Sequence, residues 1–251
     1  EDDPRVLSLN GAFNVGNRGI VEFVEVFKNE IEFLHTMLTA TQEKRVPSPG
    51  KNDMIYFDGV ILSHCNESEW NRFKSEHTNE AILDRVLKIE VPYVLELDQE
   101  KRIYEKIIKK SDFRGAHIAP HTLKVASMFS VMSRLQESKK CDLLTKMKIY
   151  NGESIIEKGR VKKVDIRDLK DEAKKEGMTG ISTRFIMKSL DAALSDSDNN
   201  MITPINVIDS LVKQVKGQII DEDAKSRYLE ILQKVIREEY LKILETEIAK
   251  A

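Results

Sequence analysis

Strand-forming signal is confined to roughly the first 97 residues of this sequence; beyond that point nearly every periodic segment repeats at helical spacing. Residues 20–27, Ile-Val-Glu-Phe-Val-Glu-Val-Phe, are β-branched and aromatic, interrupted by Glu22 and Glu25, and the Gly-Asn-Arg-Gly run at 16–19 predicts a turn before them. Over 28–44, Phe33, Leu34, Met37 and Leu38 recur as on one helix face, and Pro47-Ser48-Pro49-Gly50 closes the segment. Residues 54–64 give strand signal on both sides of Asp58-Gly59. Within them Val60-Ile61-Leu62 is continuously apolar, as in a strand covered on both faces. A helix over 67–75 and a short strand over Leu87–Val94, broken by Pro92, complete the region. Strand and helix alternating in this order predict a three-layer α/β unit with a parallel sheet.

From about residue 98, helices are predicted over 98–110, 119–136, 140–148, 165–176, 182–194, 204–217 and 221–249. Their starts carry capping chemistry: Ser182 before an apolar run, Thr203 followed by Pro204, and Asp221. The polar, glycine-containing stretch 151–164 reads as a surface excursion. The last helix carries a broad apolar stripe from Tyr228 to Ile248. That stripe either packs on its own domain or docks another domain or subunit. The expected division is 1–97, 98–200 and 201–251, with both ends reading as cuts through something longer.

Charge and composition narrow the classes. With 40 Lys+Arg against 42 Asp+Glu, the net charge of -2 gives no electrostatic reason to expect nucleic acid as a partner. No secretory leader or long apolar span is present, so a cytoplasmic protein with no membrane association is expected. Cys65 and Cys141 lie far apart and read as reduced thiols. No metal-ligand spacing occurs, since His117 and His121 lack the glutamate of H-E-x-x-H and read as local hydrogen-bonding groups around Pro120. Ser63, His64 and Cys65 are consecutive on a strand and cannot point together as a hydrolase triad.

Four features, spread over five positions, carry possible chemistry. Glu22 or Glu25, at a strand end, can polarise a water or hold a magnesium ion beside phosphates; otherwise both face solvent on an edge. Asn66 follows a strand's carboxyl end, where open α/β sheets bind ligands, though loop asparagines also form turns. Arg85, ending a short helix, pairs locally with Asp84 or Glu80 or reaches a phosphate on a neighbouring subunit. Arg184 stands in the first turn of a helix, where its charge opposes the dipole, so something other than helix stability favours it.

Five stretches then carry a resemblance: LSLNGAFNVGNRGIVEFVEVFKNEIEFLHTMLTATQEKRV at 7–46, YFDGVILSHCNESEWNRFK at 56–74, NEAILDRVLKIEVPYV at 79–94, APHTLKVASMFSVMSRL at 119–135 and GMTGISTRFIMKSL at 177–190. Together they resemble the PrkA-type serine protein kinases of bacteria, built on an AAA+ ATPase core. The resemblance implies part of an α/β AAA+ core followed by an all-helical lid and a C-terminal helical region. By position in the motifs, it also implies that Glu25 is the water-activating glutamate of a Walker B-like strand. Val24 stands where the family's usual aspartate would be, and Glu22 falls on the opposite pleat phase from Glu25. Asn66 is similar to sensor 1, Arg85 to an arginine finger acting in trans, and Arg184 to sensor 2.

The G-x-x-x-x-G-K-[ST] phosphate loop is absent, and Gly50-Lys51 lacks both the upstream glycine and the following Ser/Thr. The family places that loop ahead of the present first residue. The chain is therefore expected to be a fragment, inactive alone, of a protein that uses ATP and Mg2+. Three functions remain open from the sequence: ATP-dependent phosphorylation of serine or threonine in a protein substrate by a homo-oligomer, a ring-forming ATPase that remodels or regulates a protein partner, and a helical protein-interaction module.

Overall fold

The computed structural model describes residues 11–29, 31–48, 54–111, 115–154, 156–157, 160–161, 164–197 and 199–250. Two compact units divide between Ile89 and Glu90. The Pro49-Gly50 end of the predicted loop, Gly50-Lys51, and parts of 151–164 lie outside the described residues.

The first unit runs α1 (Ala12–Val15), β1 (Ile20–Phe23), α2 (Ile31–Gln42), β2 (Arg45–Pro47), β3 (Met54–Tyr56), β4 (Val60–Ser63), α3 (Glu67–Ser75) and α4 (Glu80–Leu83). β1 and β4 pair in parallel, Ile20 opposite Val60 and Phe23 opposite Ser63, while β2 and β3 form an antiparallel pair. The parallel pair requires a crossover, which α2 and the β2–β3 hairpin provide. Strand alternation then sorts β1: Val21 is buried against Ala40, Val46 and Phe57, and Ile20 and Glu22 face solvent. A second small core joins Val26, Leu34, Phe73 and Ile82.

Two expectations differ here. Val60 and Leu62 are 56% and 45% exposed, so among the described residues β4 is covered on one face only. A continuous apolar run states that a strand is suited to double burial; it does not supply the second covering layer. Residues 87–94 form no strand, and Leu87, Ile89 and Val91 are exposed. Pro92 offers no N–H, and the backbone bond recorded there, from Tyr93 N–H to the Gly177 carbonyl at 2.8 Å, is too isolated to make a ladder.

The second unit contains α5 (Leu97–Lys110), β5 (His117–Ile118), α6 (Thr122–Arg134), α7 (Leu143–Tyr150), β6 (Ile156–Glu157), β7 (Arg160–Val161), α8 (Ile166–Glu172), α9 (Thr183–Ser195), β8 (Met201–Ile202), α10 (Pro204–Gln218), α11 (Glu222–Glu230) and α12 (Arg237–Ile248). Ser182, Thr203 and Asp221 cap α9, α10 and α11 as expected, each accepting from backbone N–H groups one turn ahead. α6 is the axis of the unit. Val125 to Arg134 are all buried, between α5, α9 and α10. The final helical stretch is interrupted by a π segment at Ile231–Ile236. Tyr228, Ile231, Leu232, Ile236 and Tyr240 pack into this unit's own core, while Leu241 and Ile248 remain exposed. His121 pairs with Glu247 on α12 at 2.8 Å, so its partner is distant in sequence rather than local.

Two buried ion pairs, which sequence reasoning did not single out, stiffen this unit. Arg134 donates to Glu100 Oε1 at 2.8 Å, to the Ile181 carbonyl from Nε and Nη2, and to the Val94 carbonyl. Tyr104 and Ser130 complete the Glu100 shell. Lys146 donates to Glu176 Oε1 at 2.6 Å, and Tyr150 to Oε2. Gly180, at φ +119°, lies where a Cβ would come within 2.9 Å of the Arg134 backbone, which gives the glycine a steric reason.

Candidate functional site

Because β1 and β4 are parallel, both carboxyl ends emerge on the same side, and the loops that follow them converge there. Glu22 is exposed and its Oε1 lies 2.6 Å from His64 Nε2, just past the end of β4. Glu25 sits two residues beyond β1 with φ +56° and ψ +45°, a left-handed conformation uncommon for a side-chain-bearing residue. That turn sends its carboxylate to Lys28, whose Nζ is 2.8 Å from Oε2. The Glu25 hydrogen bond holds the Lys28 ammonium above its ordinary range. Glu25 thus stands clear of the ladder and exposed.

Asn66 is the N-cap of α3. Its Oδ1 accepts from Glu69 N–H at 2.8 Å and from the Ser68 hydroxyl at 2.7 Å. The turn-forming alternative therefore describes its present bonds. Asn66→Ala is expected to cost about 1 kcal/mol of unfolding free energy in urea, and Asn66→Asp well under half of that, since aspartate caps equally well. Equal losses would remove the cap as the cause.

Arg85 follows α4 and is exposed. It donates to the Ala81 carbonyl, and the Gln42 amide oxygen, turned toward it, lies 2.7 Å from Nε and 2.6 Å from Nη2. Its local partners are therefore a helix carbonyl and an amide on α2, not Asp84 or Glu80. Arg184, in the second unit, is the second residue of α9, exposed, and has no hydrogen bond or ion pair among the described residues. Of the five positions, Glu25 and Asn66 lie in the loops that leave β1 and β4, which touch through the bond from Val26 N–H to the His64 carbonyl at 3.1 Å, while Glu22 stays within β1 and faces solvent. Lys28 and Glu69 join them, Lys28 Nζ being 3.8 Å from Glu69 Oε1. Sequence reasoning passed over both, although the Glu25–Lys28 spacing of three was a readable signal.

Cys65 lies in the same loop. Burial pushes its thiol up and Glu69 adds to the effect, which is the opposite of an activated thiolate.

Comparison with known proteins completes the description. The PrkA AAA domain matches residues 1–142, and the PrkA serine protein kinase C-terminal domain matches residues 144–251. The chain belongs to the PrkA family. It is 39% identical over its whole length to a Bacillus subtilis (strain 168) protein named ATP-dependent protease PrkA, and covers 40% of that protein. It is 37% identical, again over its whole length, to the Escherichia coli (strain K12) serine/threonine kinase YeaG, covering 39% of it. The chain thus spans about two-fifths of the length of these PrkA relatives. A solved structure of NtrX from Brucella abortus with ATP overlays at a TM-score of 0.36 and 13% identity, over 88% of this chain and 50% of that one. That overlay is too loose to bear on the site. The PrkA family assignment agrees with the α/β unit followed by a helical region.

Proposed function

We propose that this chain is part of an ATP-dependent serine/threonine protein kinase with an AAA+ core, acting as a homo-oligomer on a protein substrate. The observation that carries the reading is that Glu25 and Asn66 occupy adjoining loops at the carboxyl ends of two parallel strands, where α/β folds bind nucleotides, with Glu22 on the first of those strands. Carboxylates of this kind suit a magnesium ion held mainly through nucleotide phosphates, which needs only one or two protein ligands. Bound ATP with Mg2+ would supply the transferable phosphoryl group and neutralise its charge.

The roles follow from side-chain chemistry. Glu25, exposed on its left-handed turn, accepts the proton of the attacking oxygen once Lys28 yields its hydrogen bond. Glu22 would be the protein carboxylate available to a nucleotide-bound magnesium ion, and the Asn66 amide would donate to a phosphate oxygen or to the attacking group. Arg85 extends to a neighbour's nucleotide by giving up its Gln42 and Ala81 contacts. Arg184, exposed on α9, is the sensor carried by the helical lid; the lid and C-terminal region are read as 98–200 and 201–251.

The attacking oxygen distinguishes two readings. A protein hydroxyl gives a kinase; water gives a ring-forming ATPase that remodels a partner, and a general base such as Glu25 serves either. The longer protein, incubated with γ-labelled ATP, magnesium and a cell extract, is expected to transfer label to serine or threonine. Label appearing only as free phosphate would replace the kinase reading with the ATPase one. In the same protein, Arg85→Ala should leave nucleotide affinity within about twofold while turnover falls by about 10³ or more, the scale of an arginine finger. Arg184→Ala should weaken both affinity and turnover. Calorimetry beside a turnover assay checks this, and unchanged turnover in R85A would remove the finger role.

A further inference from the structure

The connector 173–182 between α8 and α9 contains no helix or strand, and Gly177 within it lies at φ +80°. Such a connector has many conformers of its own, so the one it adopts is imposed by what it touches. Buried polar groups of α6 and α7 impose it. The Glu176 carboxylate accepts from Lys146 Nζ at 2.6 Å, from the Tyr150 hydroxyl at 2.6 Å and from the Gln136 N–H at 2.7 Å. The Gly177 N–H donates to the Arg134 carbonyl at 3.2 Å. At Ile181 both backbone groups are held: the N–H donates to Ser133 Oγ at 2.9 Å, and the carbonyl accepts from Arg134 Nε at 3.1 Å and Nη2 at 3.0 Å.

Ile181 stands one residue before the Ser182 cap of α9, and it shares the core with the buried Ile186. That spacing is a hydrophobic staple, which fixes the angle at which a chain enters a helix. The entry of α9 is thus set at Ile181, and the exposed Arg184 follows within its first turn. The other arm of Arg134 holds the chain where it enters this unit. Nη1 donates to the Val94 carbonyl at 2.9 Å, the guanidinium lies over the Tyr93 ring at 4.7 Å, and the Tyr93 N–H donates to the Gly177 carbonyl at 2.8 Å. For stability alone an apolar pair often does as well as a buried ion pair such as Arg134–Glu100. An apolar side chain cannot hold two separate carbonyls, as one planar guanidinium does.

We propose that Arg134 is a positioning residue for Arg184. It fastens the start of α9 to the entering segment Tyr93–Val94 and so sets where the Arg184 guanidinium is presented. Arg134 is 2% exposed and acts only through α9. That Arg184 then senses nucleotide rests on the function proposed above; the fastening of α9 does not.

Arg134→Met combined with Glu100→Leu removes the guanidinium without stranding the carboxylate, and in the longer protein it separates fastening from stability. Hydrogen exchange at the Ile181, Phe185 and Ile186 amides is expected to quicken about tenfold or more, with the α10 amides unchanged. Nucleotide affinity and turnover should fall about as far as in Arg184→Ala, and adding Arg184→Ala should lower them by less than about twofold further, since both changes remove one function. A residue that only stabilised the fold would lose these effects once the urea midpoint is restored. Ser133→Ala removes the Ile181 acceptor and leaves the ion pair in place; it should give the same pattern on a smaller scale, and it carries the test if the double variant does not fold. Unchanged exchange in the first turn of α9 would overturn the proposal, as would full affinity and turnover beside an impaired Arg184→Ala. Faster exchange together with a fully active Arg184→Ala would remove the sensor reading and keep the fastening of α9.

Discussion

Arg134→Met is expected to destabilise the helical unit by about 3–5 kcal/mol, because it strands a buried carboxylate. Arg134 and Glu100 are 2% and 1% exposed, and the guanidinium also satisfies the Ile181 and Val94 carbonyls. Burial works to raise the Glu100 pKa, but the hydrogen bonds from Arg134, Tyr104 and Ser130 outweigh it and hold the carboxyl below its ordinary value. A depressed carboxylate contributes stability that is present above the unfolded value, near about 4.3, and is lost as pH falls through the lower folded value. In Arg134→Met the principal opposing hydrogen bond is gone and burial dominates, so the sign reverses. The destabilisation should shrink as pH falls from about 7 to 5, because the stranded group can take a proton. Urea denaturation of both proteins across that range measures it. A loss below about 1 kcal/mol would place this pair with exposed ion pairs. Adding Glu100→Leu should recover much of the loss, since an apolar pair of similar volume is often no worse than a buried ion pair.

The second large effect concerns chemistry. Glu25→Gln in the longer protein should lower turnover by about 10²–10⁴, the usual contribution of a positioned general base, with nucleotide affinity nearly unchanged. The substitution keeps the side-chain shape and the left-handed turn but removes the proton acceptor and weakens the Lys28 bridge. Lys28→Met separates the two consequences: it breaks the bridge and leaves the base. If both variants lose turnover equally, the ion pair rather than the base is what the reaction needs. If only Glu25→Gln loses it, Glu25 carries the proton. Turnover unaffected by Glu25→Gln would move the base elsewhere.

The helices were legible because their signals are local. Ser182, Thr203-Pro204 and Asp221 mark starts that a single turn of chain determines, and each proved to be a cap. The pairing of β1 with β4 was legible only as a class, since alternation with helices implies parallel strands. Leu87–Val94 shows the limit. Its side chains suit a strand, but strands are made by neighbours, and this segment has no ladder among the described residues. The stripe on the last helices left two outcomes open, and packing divided it between a buried portion through Tyr240 and exposed Leu241 and Ile248.

By itself, then, the sequence determined the α/β-then-helical order, the helix caps and the family. Each of these depends on residue type at fixed spacing along the chain. Tertiary structure alone decided what the charged residues touch: Glu22 on His64, Glu25 on Lys28, Arg85 on Ala81 and Gln42, and Arg134 on Glu100. Partners separated by tens of residues leave no periodicity to read. Whether a charge is buried or an acceptor satisfied depends on distance through space and on what excludes water, and both are set only when the chain has folded.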